Sequence, residues 1–173
     1  MQENKDNRGE VLLVCQQKTV YHGAICFALG LLSGIPYTGV ILREYTKDWS
    51  AGEQNALIGT AIYNLALKTG GTERAWKMAH MEGLLNGMSM FLVAAIMPVL
   101  TKLSGDELRS LTAAMLVTGY GNSVASIFCA AASVRGMVQA GSLMNRAGNL
   151  GFTVAVVTIT RAVFLLMKGT GRG

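Results

Sequence analysis

The sequence predicts an all-α integral membrane protein, built as a four-helix bundle. Of its 173 residues, 51% are apolar and 14% are charged, and the mean hydropathy is +0.37. A soluble domain carries roughly 25% charged residues. The charges also leave long gaps, because residues 23–42, 83–101 and 110–134 form windows of 20, 19 and 25 residues without a charge. A helix of that length crosses a hydrocarbon layer about 30 Å thick.

These windows predict four transmembrane helices, near residues 20–42, 76–103, 107–134 and 145–167. The fourth window is shorter, since Arg161 lies inside it. That segment still spans a bilayer if Arg161 reaches the interface, pairs with an acid or binds an anionic group. We therefore expect an integral protein of the cell membrane.

The predicted transmembrane domain covers residues 19–168. It follows a polar, partly disordered leader at 1–18, in which residues 11–15 are interpreted as a short interfacial segment, and it precedes a short tail at 169–173. The first apolar stretch is too long and begins too late for a cleaved signal peptide.

The connection between the first two spans, residues 43–75, is long enough to hold an element of its own. Its centre, 53–68, has apolar residues at helical spacing between glycines. We expect an extra interfacial helix there, and a fifth span is the alternative.

The net charge of +5 does not indicate nucleic-acid binding, because the basic residues are scattered singly near helix ends. They are better interpreted as anchors to anionic head groups of the lipid bilayer. Cys15, Cys26 and Cys129 lack CxxC spacing. We expect them to be small buried residues, without a disulfide or a zinc site.

The strongest candidate for a functional residue is His80, at the head of the second span. A ligating side chain placed in hydrocarbon marks a functional site by default. Neutral imidazole is a common axial ligand of haem iron, so His80 is the predicted metal ligand, and an interhelical hydrogen bond is the alternative. Gly83 and Gly87 share its helix face. They indicate close helix packing, clearance for a flat macrocycle, or both at once.

Glu82 and Asn86 lie four residues apart on the adjoining flank of the same helix. Glu82 is an acid well inside a predicted span, so we expect it to be neutral, paired or facing a polar cavity. Arg161 is the corresponding base. A Glu82–Arg161 ion pair and a contact from Arg161 to haem propionates are the two hypotheses for it.

The third predicted helix carries a polar stripe of Thr118, Asn122, Ser126 and Cys129. Such a stripe is typical either of helix packing or of the lining of a pocket. Asn122, with Tyr120 beside the stripe, is expected to hold a small substrate that bears oxygen or nitrogen. His22, at the start of the first span, is a candidate for contact with the propionates or for support of the ligand.

At these residues the chain resembles a family of small four-helix membrane isomerases, the styrene oxide isomerases and hydroxylaminobenzene mutases, over most of 19–168. The signature comprises His22-Gly23, residues 30–34, Trp76, Ala79-His80, Asn86-Gly87, residues 94–98 and residues 119–122. The acid two residues after the histidine is similar to the mutase branch. The tryptophan before it is similar to the isomerase branch.

The resemblance implies a homotrimer with haem b held by His80 near a subunit interface. In the isomerases, ferric iron acts as a Lewis acid on an epoxide and an aldehyde forms without net redox. In the mutases, an aryl hydroxylamine becomes an aminophenol. The acid and the tyrosine that the isomerases carry in the third helix are replaced here by Thr118 and Ser126.

The resulting prediction is a haem-dependent membrane isomerase or mutase whose substrate is small, apolar and aromatic and partitions from the bilayer. His80 is the axial ligand, Asn86 and Asn122 are donors that orient the substrate, and Glu82 handles a proton or orients a neighbour. The alternatives are a non-enzymatic haem protein for electron transfer or sensing, and a membrane protein without a cofactor.

Overall fold

The structure, a computed structural model, describes residues 3–50, 52, 53, 68, 70–134 and 142–171, with side chains from residue 7. In these ranges it has four long helices: α1 (Glu3–Tyr45), α2 (Glu73–Ile96), α3 (Gly105–Ala131) and α4 (Leu143–Thr170). All four are long and apolar enough to cross a membrane. The predicted all-α, four-helix membrane fold is confirmed. The helix expected over 53–68, and the fifth span that was its alternative, fall outside the described residues apart from Glu53 and Lys68.

The first helix begins at Glu3, well before residue 20. Residues 3–18, which were expected to form a leader, are therefore the first part of α1. Val11 and Cys15 are 8% and 4% exposed and belong to the main hydrophobic core. They lie one helical turn apart and therefore share a face. Residues 11–15 therefore do not form a separate short segment, because they are part of α1.

The contacts of Arg8 show how a charged segment can form the first part of α1. Its Nε and one terminal nitrogen donate to the carbonyl oxygens of Leu103 and Leu100, each at 3.0 Å. These carbonyls lie in the loop between the 3-10 helix that follows α2 and the start of α3. The charge that marked the leader as polar therefore stabilises the loop between α2 and α3.

The second helix ends at Ile96, earlier than the predicted boundary at residue 103. A short 3-10 helix, Met97–Val99, follows it and contains Pro98. Proline has no backbone N–H and cannot continue the regular hydrogen-bond pattern. Leu100 is fully buried beyond this turn, so the loop still contributes to the core.

The four helices differ in how extensively they pack on one another. α1 packs most extensively on α2, α3 packs on both, and α4 packs mainly on α3. Large apolar side chains cover the outside of all four helices, among them Leu32, Leu92, Phe128 and Val157, which are 51–65% exposed. Such a surface is compatible with a membrane protein, since apolar side chains are favourable in lipid.

Glycines determine how closely α1 and α2 approach. A Cβ atom on Gly30 would lie 2.5 Å from the backbone nitrogen of Leu84, and one on Gly87 would lie 2.7 Å from the backbone nitrogen of Phe27. A Cβ on Gly83 would meet the backbone of Gly30. The packing interpretation of Gly83 and Gly87 is therefore confirmed. Their expected role in leaving clearance for a macrocycle stays a prediction.

The start of α3 is stabilised by a capping box. Ser104 Oγ accepts from the backbone N–H of Glu107, and a Glu107 carboxylate oxygen accepts from the backbone N–H of Ser104 at 3.0 Å. Ser104→Ala removes the first of these bonds, so we expect the free energy of unfolding to fall by about 1 kcal/mol. Thermal unfolding in detergent measures this loss. Ser89→Ala, at an exposed position inside α2, is the control. Equal stability of the two variants would contradict the role of the cap.

Candidate functional site

His80 lies on α2 and its ring faces α1. Its Nδ1 is 2.7 Å from the carbonyl oxygen of Gly30. A carbonyl only accepts, so Nδ1 carries the proton, and in a neutral imidazole Nε2 then carries the lone pair. Histidines that bind metals commonly use one nitrogen in this way and ligate with the other. The interhelical hydrogen bond expected as the alternative is present, and it prepares the second nitrogen to act as a ligand.

Three further residues of α1 surround this imidazole. Ser33 Oγ donates to the same Gly30 carbonyl at 2.8 Å. The Tyr37 ring stacks against the imidazole at 6.1 Å between centroids. A Cβ on Gly34 would lie 3.1 Å from His80 Nδ1, so glycine is needed beside the ring. The sequence interpretation assigned none of these residues to the site, although Gly30 and Gly34, four apart, indicate a close approach of another group.

Glu82, Asn86 and Asn122 come together between α2 and α3. Asn86 Nδ2 donates to a carboxylate oxygen of Glu82 at 2.9 Å and to the Glu82 backbone carbonyl at 2.8 Å. Asn122 Nδ2 lies 3.4 Å from Asn86 Oδ1. The Asn86 amide nitrogen thus meets two acceptors within α2, and the expected role of Asn86 as a donor to substrate stays a prediction.

Arg161 does not meet Glu82. It is exposed on α4, and its guanidinium lies 5.8 Å from the centre of the Phe164 ring. Among the described residues, the ion pairs join other partners: Arg43–Glu44, Arg109–Asp106 and Lys168–Glu107. The Glu82–Arg161 pair is wrong because α4 packs mainly on α3 and not on α2. Contact between Arg161 and haem propionates stays a prediction.

His22 and Tyr120 form a second polar pair. His22 Nδ1 lies 2.8 Å from the Tyr120 hydroxyl, and the two rings are nearly perpendicular. His22 lies eight residues before Gly30 on α1, or about 12 Å along the helix. The structure thus places His22 with Tyr120 and away from His80. The sequence contained no signal for this pair, since the two residues are on different helices.

The polar stripe of α3 divides between packing and the site. Thr118 Oγ1 lies 2.8 Å from Thr158 Oγ1 and joins α3 to α4. Ser126 and Cys129 are buried. Asn122 is half-buried and reaches Asn86. Packing therefore accounts for most of the stripe, and Asn122 is the member that joins the candidate site.

An apolar crevice of about 610 Å³ opens between α3 and α4. Tyr120 lines it, together with Val117, Val124, Phe128 and Leu150. This volume falls within the usual range for sites that bind small molecules. Tyr120 is a lining residue that carries a hydroxyl, and this hydroxyl lies against His22 of α1.

The comparisons with known proteins point to one family. A family model described as styrene oxide isomerase matches residues 15–171. The match begins within α1 and runs through all four helices. No curated protein matches the chain.

Proposed function

Because the chain belongs to the styrene oxide isomerase family, which indicates an isomerase, we propose that it is a membrane-embedded, haem b-dependent isomerase or mutase. Its substrate would be a small apolar, aromatic epoxide or hydroxylamine, rearranged without net redox. The proposal extends the family assignment to a cofactor, a substrate class and a mechanism.

One observation carries the cofactor: the 2.7 Å hydrogen bond from His80 Nδ1 to Gly30 O. It orients the ring and leaves the lone pair on Nε2, the arrangement that haem iron requires of a histidine ligand. The donor set therefore fits haem. When bound, ferric haem would supply a Lewis acid that polarises the substrate oxygen.

The protein's own side chains would bind and orient the substrate. Asn86 and Asn122 orient the polar end of the substrate through their amides. Tyr120 lines the apolar crevice, and its hydroxyl is held by His22 of α1. The crevice between α3 and α4 suits the aromatic body, and the bilayer is the source from which the substrate enters.

The position of His80 relative to Asn86 supports the proposed homotrimer. The two residues are six apart on α2, so they point about 120° apart and are separated by about 9 Å along the helix. His80 faces α1, whereas Asn86 faces α3. A second copy of the chain that brings its own Asn86 near this His80 would complete the site.

The test is a visible spectrum combined with an isomerisation assay. Protein purified in mild detergent, with and without added haemin, is incubated with styrene oxide and with phenylhydroxylamine. We expect a Soret band and a product of the same mass as the substrate, formed without consumption of oxygen or reductant. Absence of the band after haemin would contradict the proposed cofactor. A band without turnover of either compound would favour the non-enzymatic haem protein.

A further inference from the structure

We propose that a cavity between the end of α1 and the start of α2 binds the head group of an anionic phospholipid. The cavity has a volume of about 530 Å³ and is lined by Arg43, Glu44, Gly71, Thr72, Glu73, Arg74 and Lys77. Five of these residues are charged, whereas the crevice between α3 and α4 is lined by uncharged residues. The proposal depends on the membrane fold and not on haem or isomerisation.

The fold brings together basic residues that are far apart in the sequence. Arg43 lies two residues before the end of α1, whereas Arg74 and Lys77 lie in the first two turns of α2. All three line the same cavity. In the sequence these bases are single and scattered, but in the structure they act on one volume and can attract one anionic group together.

Arg74 and Lys77 carry charges that the protein itself does not neutralise. Within the parts of the chain that the structure describes, neither side chain takes part in an ion pair or in a side-chain hydrogen bond. Both side chains are exposed. Arg43 is partly buried, donates to the carbonyl oxygen of Gly71 at 3.3 Å and adds its charge to the wall of the cavity.

Two acids also line the cavity, and they do not cancel its positive charge. Glu44 lies 3.6 Å from Arg43, and its side chain is 60% exposed. Glu73 lies in the first turn of α2, where the helix dipole favours a carboxylate. Three bases and two acids leave one net positive charge. This matches a phospholipid with one negative charge, such as phosphatidylglycerol, whose phosphate is charged and whose glycerol is neutral.

The depth of the cavity favours a lipid as the source of the phosphate. Arg43 is the first charged residue after the uncharged window of α1 at 23–42. Tyr45 and Trp49 follow it, are 69% and 37% exposed, and have ring centroids 5.6 Å apart. Tyrosine and tryptophan are enriched at the membrane–water interface. The cavity therefore lies at the depth of the lipid head groups.

The loop that forms one wall of the cavity is held by all three neighbouring helices. Trp76 Nε1 of α2 donates to the carbonyl oxygen of Gly70 at 2.7 Å, and Arg43 of α1 donates to that of Gly71. Gly71 has a φ of +91°, and a Cβ there would meet the carbonyl oxygen of Ala130 on α3. This wall is therefore formed before a ligand arrives, which lowers the entropic cost of binding.

The experiment measures the binding of tritium-labelled phosphatidylglycerol to the full-length protein, immobilised in mild detergent, by scintillation proximity. Unlabelled phosphatidylglycerol and phosphatidylcholine with the same acyl chains compete for the site. We expect phosphatidylglycerol to compete at about tenfold lower concentration, because phosphatidylcholine has the same phosphate but also a positive charge. Equal competition by the two lipids would overturn the proposal.

Inorganic phosphate, as a third competitor, distinguishes a lipid from a soluble anion. It has no acyl chains that would concentrate it beside the protein. We therefore expect it to displace no more phosphatidylglycerol than sodium chloride does at the same ionic strength. Stronger displacement by phosphate would assign the cavity to a soluble anion and would contradict the lipid.

Variants assign the binding to the cavity. Arg74→Gln/Lys77→Gln should weaken the binding of phosphatidylglycerol by about tenfold or more, because each basic residue near the surface attracts anionic lipid. Arg74→Lys/Lys77→Arg keeps both charges and should stay within about threefold of the unchanged protein. Lys18→Gln/Arg146→Gln, which removes two exposed bases outside the cavity lining, is the matched control and should bind normally.

Equal weakening in the two glutamine variants would show a general effect of net charge and would overturn the cavity as the site. If Arg74→Gln/Lys77→Gln aggregates in gel filtration, Lys77→Gln alone is compared with Lys18→Gln. We expect about fivefold weaker binding for Lys77→Gln. Equal binding by these two single variants would contradict the proposal. The assay needs neither haem nor turnover, so its result is independent of the proposed function.

Discussion

Haem binding is expected to be lost in His80→Ala. Alanine removes the proposed axial ligand, and weakening the groups that merely support a metal ligand already lowers metal affinity by about 10- to 100-fold. We therefore expect haem affinity to fall by more than about 100-fold. The Soret band should disappear at haemin concentrations that saturate the unchanged protein, and isomerisation should fall to background.

The same purification supplies the controls for this experiment. Ser89→Ala lies on α2 at an exposed position and should keep the band. Circular dichroism and gel filtration of His80→Ala show whether the helices and the assembly persist, since the variant also loses the bond to Gly30. A folded His80→Ala protein that retains its full Soret band would contradict the assignment of His80 as ligand.

The largest effect on stability is expected for Gly83→Ala. Its new Cβ would meet the backbone of Gly30, which cannot turn aside as a flexible side chain can. Overpacking of a core by one or more methyl groups typically costs 1–3 kcal/mol. Because α1 must move away from α2 here, we expect a loss of about 3 kcal/mol or more.

Gly9→Ala is the matched control, because it makes the same change inside a helix. A Cβ on Gly9 would have no atom within 4 Å. Alanine favours a helix over glycine by up to about 1 kcal/mol, so this variant should be unchanged or slightly more stable. Unfolding in detergent by heat or by added SDS compares the two proteins. Equal stability of Gly83→Ala and Gly9→Ala would show that the helix crossing does not depend on Gly83.

The sequence was sufficient for the membrane class and for the four long helices of the described residues. A span requires an uncharged run of about 20 residues, and that requirement can be checked residue by residue without knowledge of packing. The family was also identified from local signatures, and the match over residues 15–171 confirms it. Even the Glu82–Asn86 contact is local, since residues four apart on a helix are neighbours.

The sequence was less informative about residues whose structural role depends on contacts with another segment. Arg8 and the charges near it suggested a leader outside the domain. In the structure, Arg8 binds carbonyls of the loop between α2 and α3, and residues 3–18 belong to α1. Charge alone cannot predict this, because its cost depends on acceptors that another segment brings nearby.

Helical periodicity in the sequence shows which residues share a helix face, whereas the folded structure is needed to know which faces meet. His80, Gly83 and Gly87 were correctly grouped, yet the crossing of α1 and α2 placed the glycines against backbone and gave His80 the Gly30 carbonyl. Arg161 could be assigned to a span, but not to a partner. The physical reason is that helical periodicity is a property of one segment, whereas the contact between helices depends on how closely their backbones can approach.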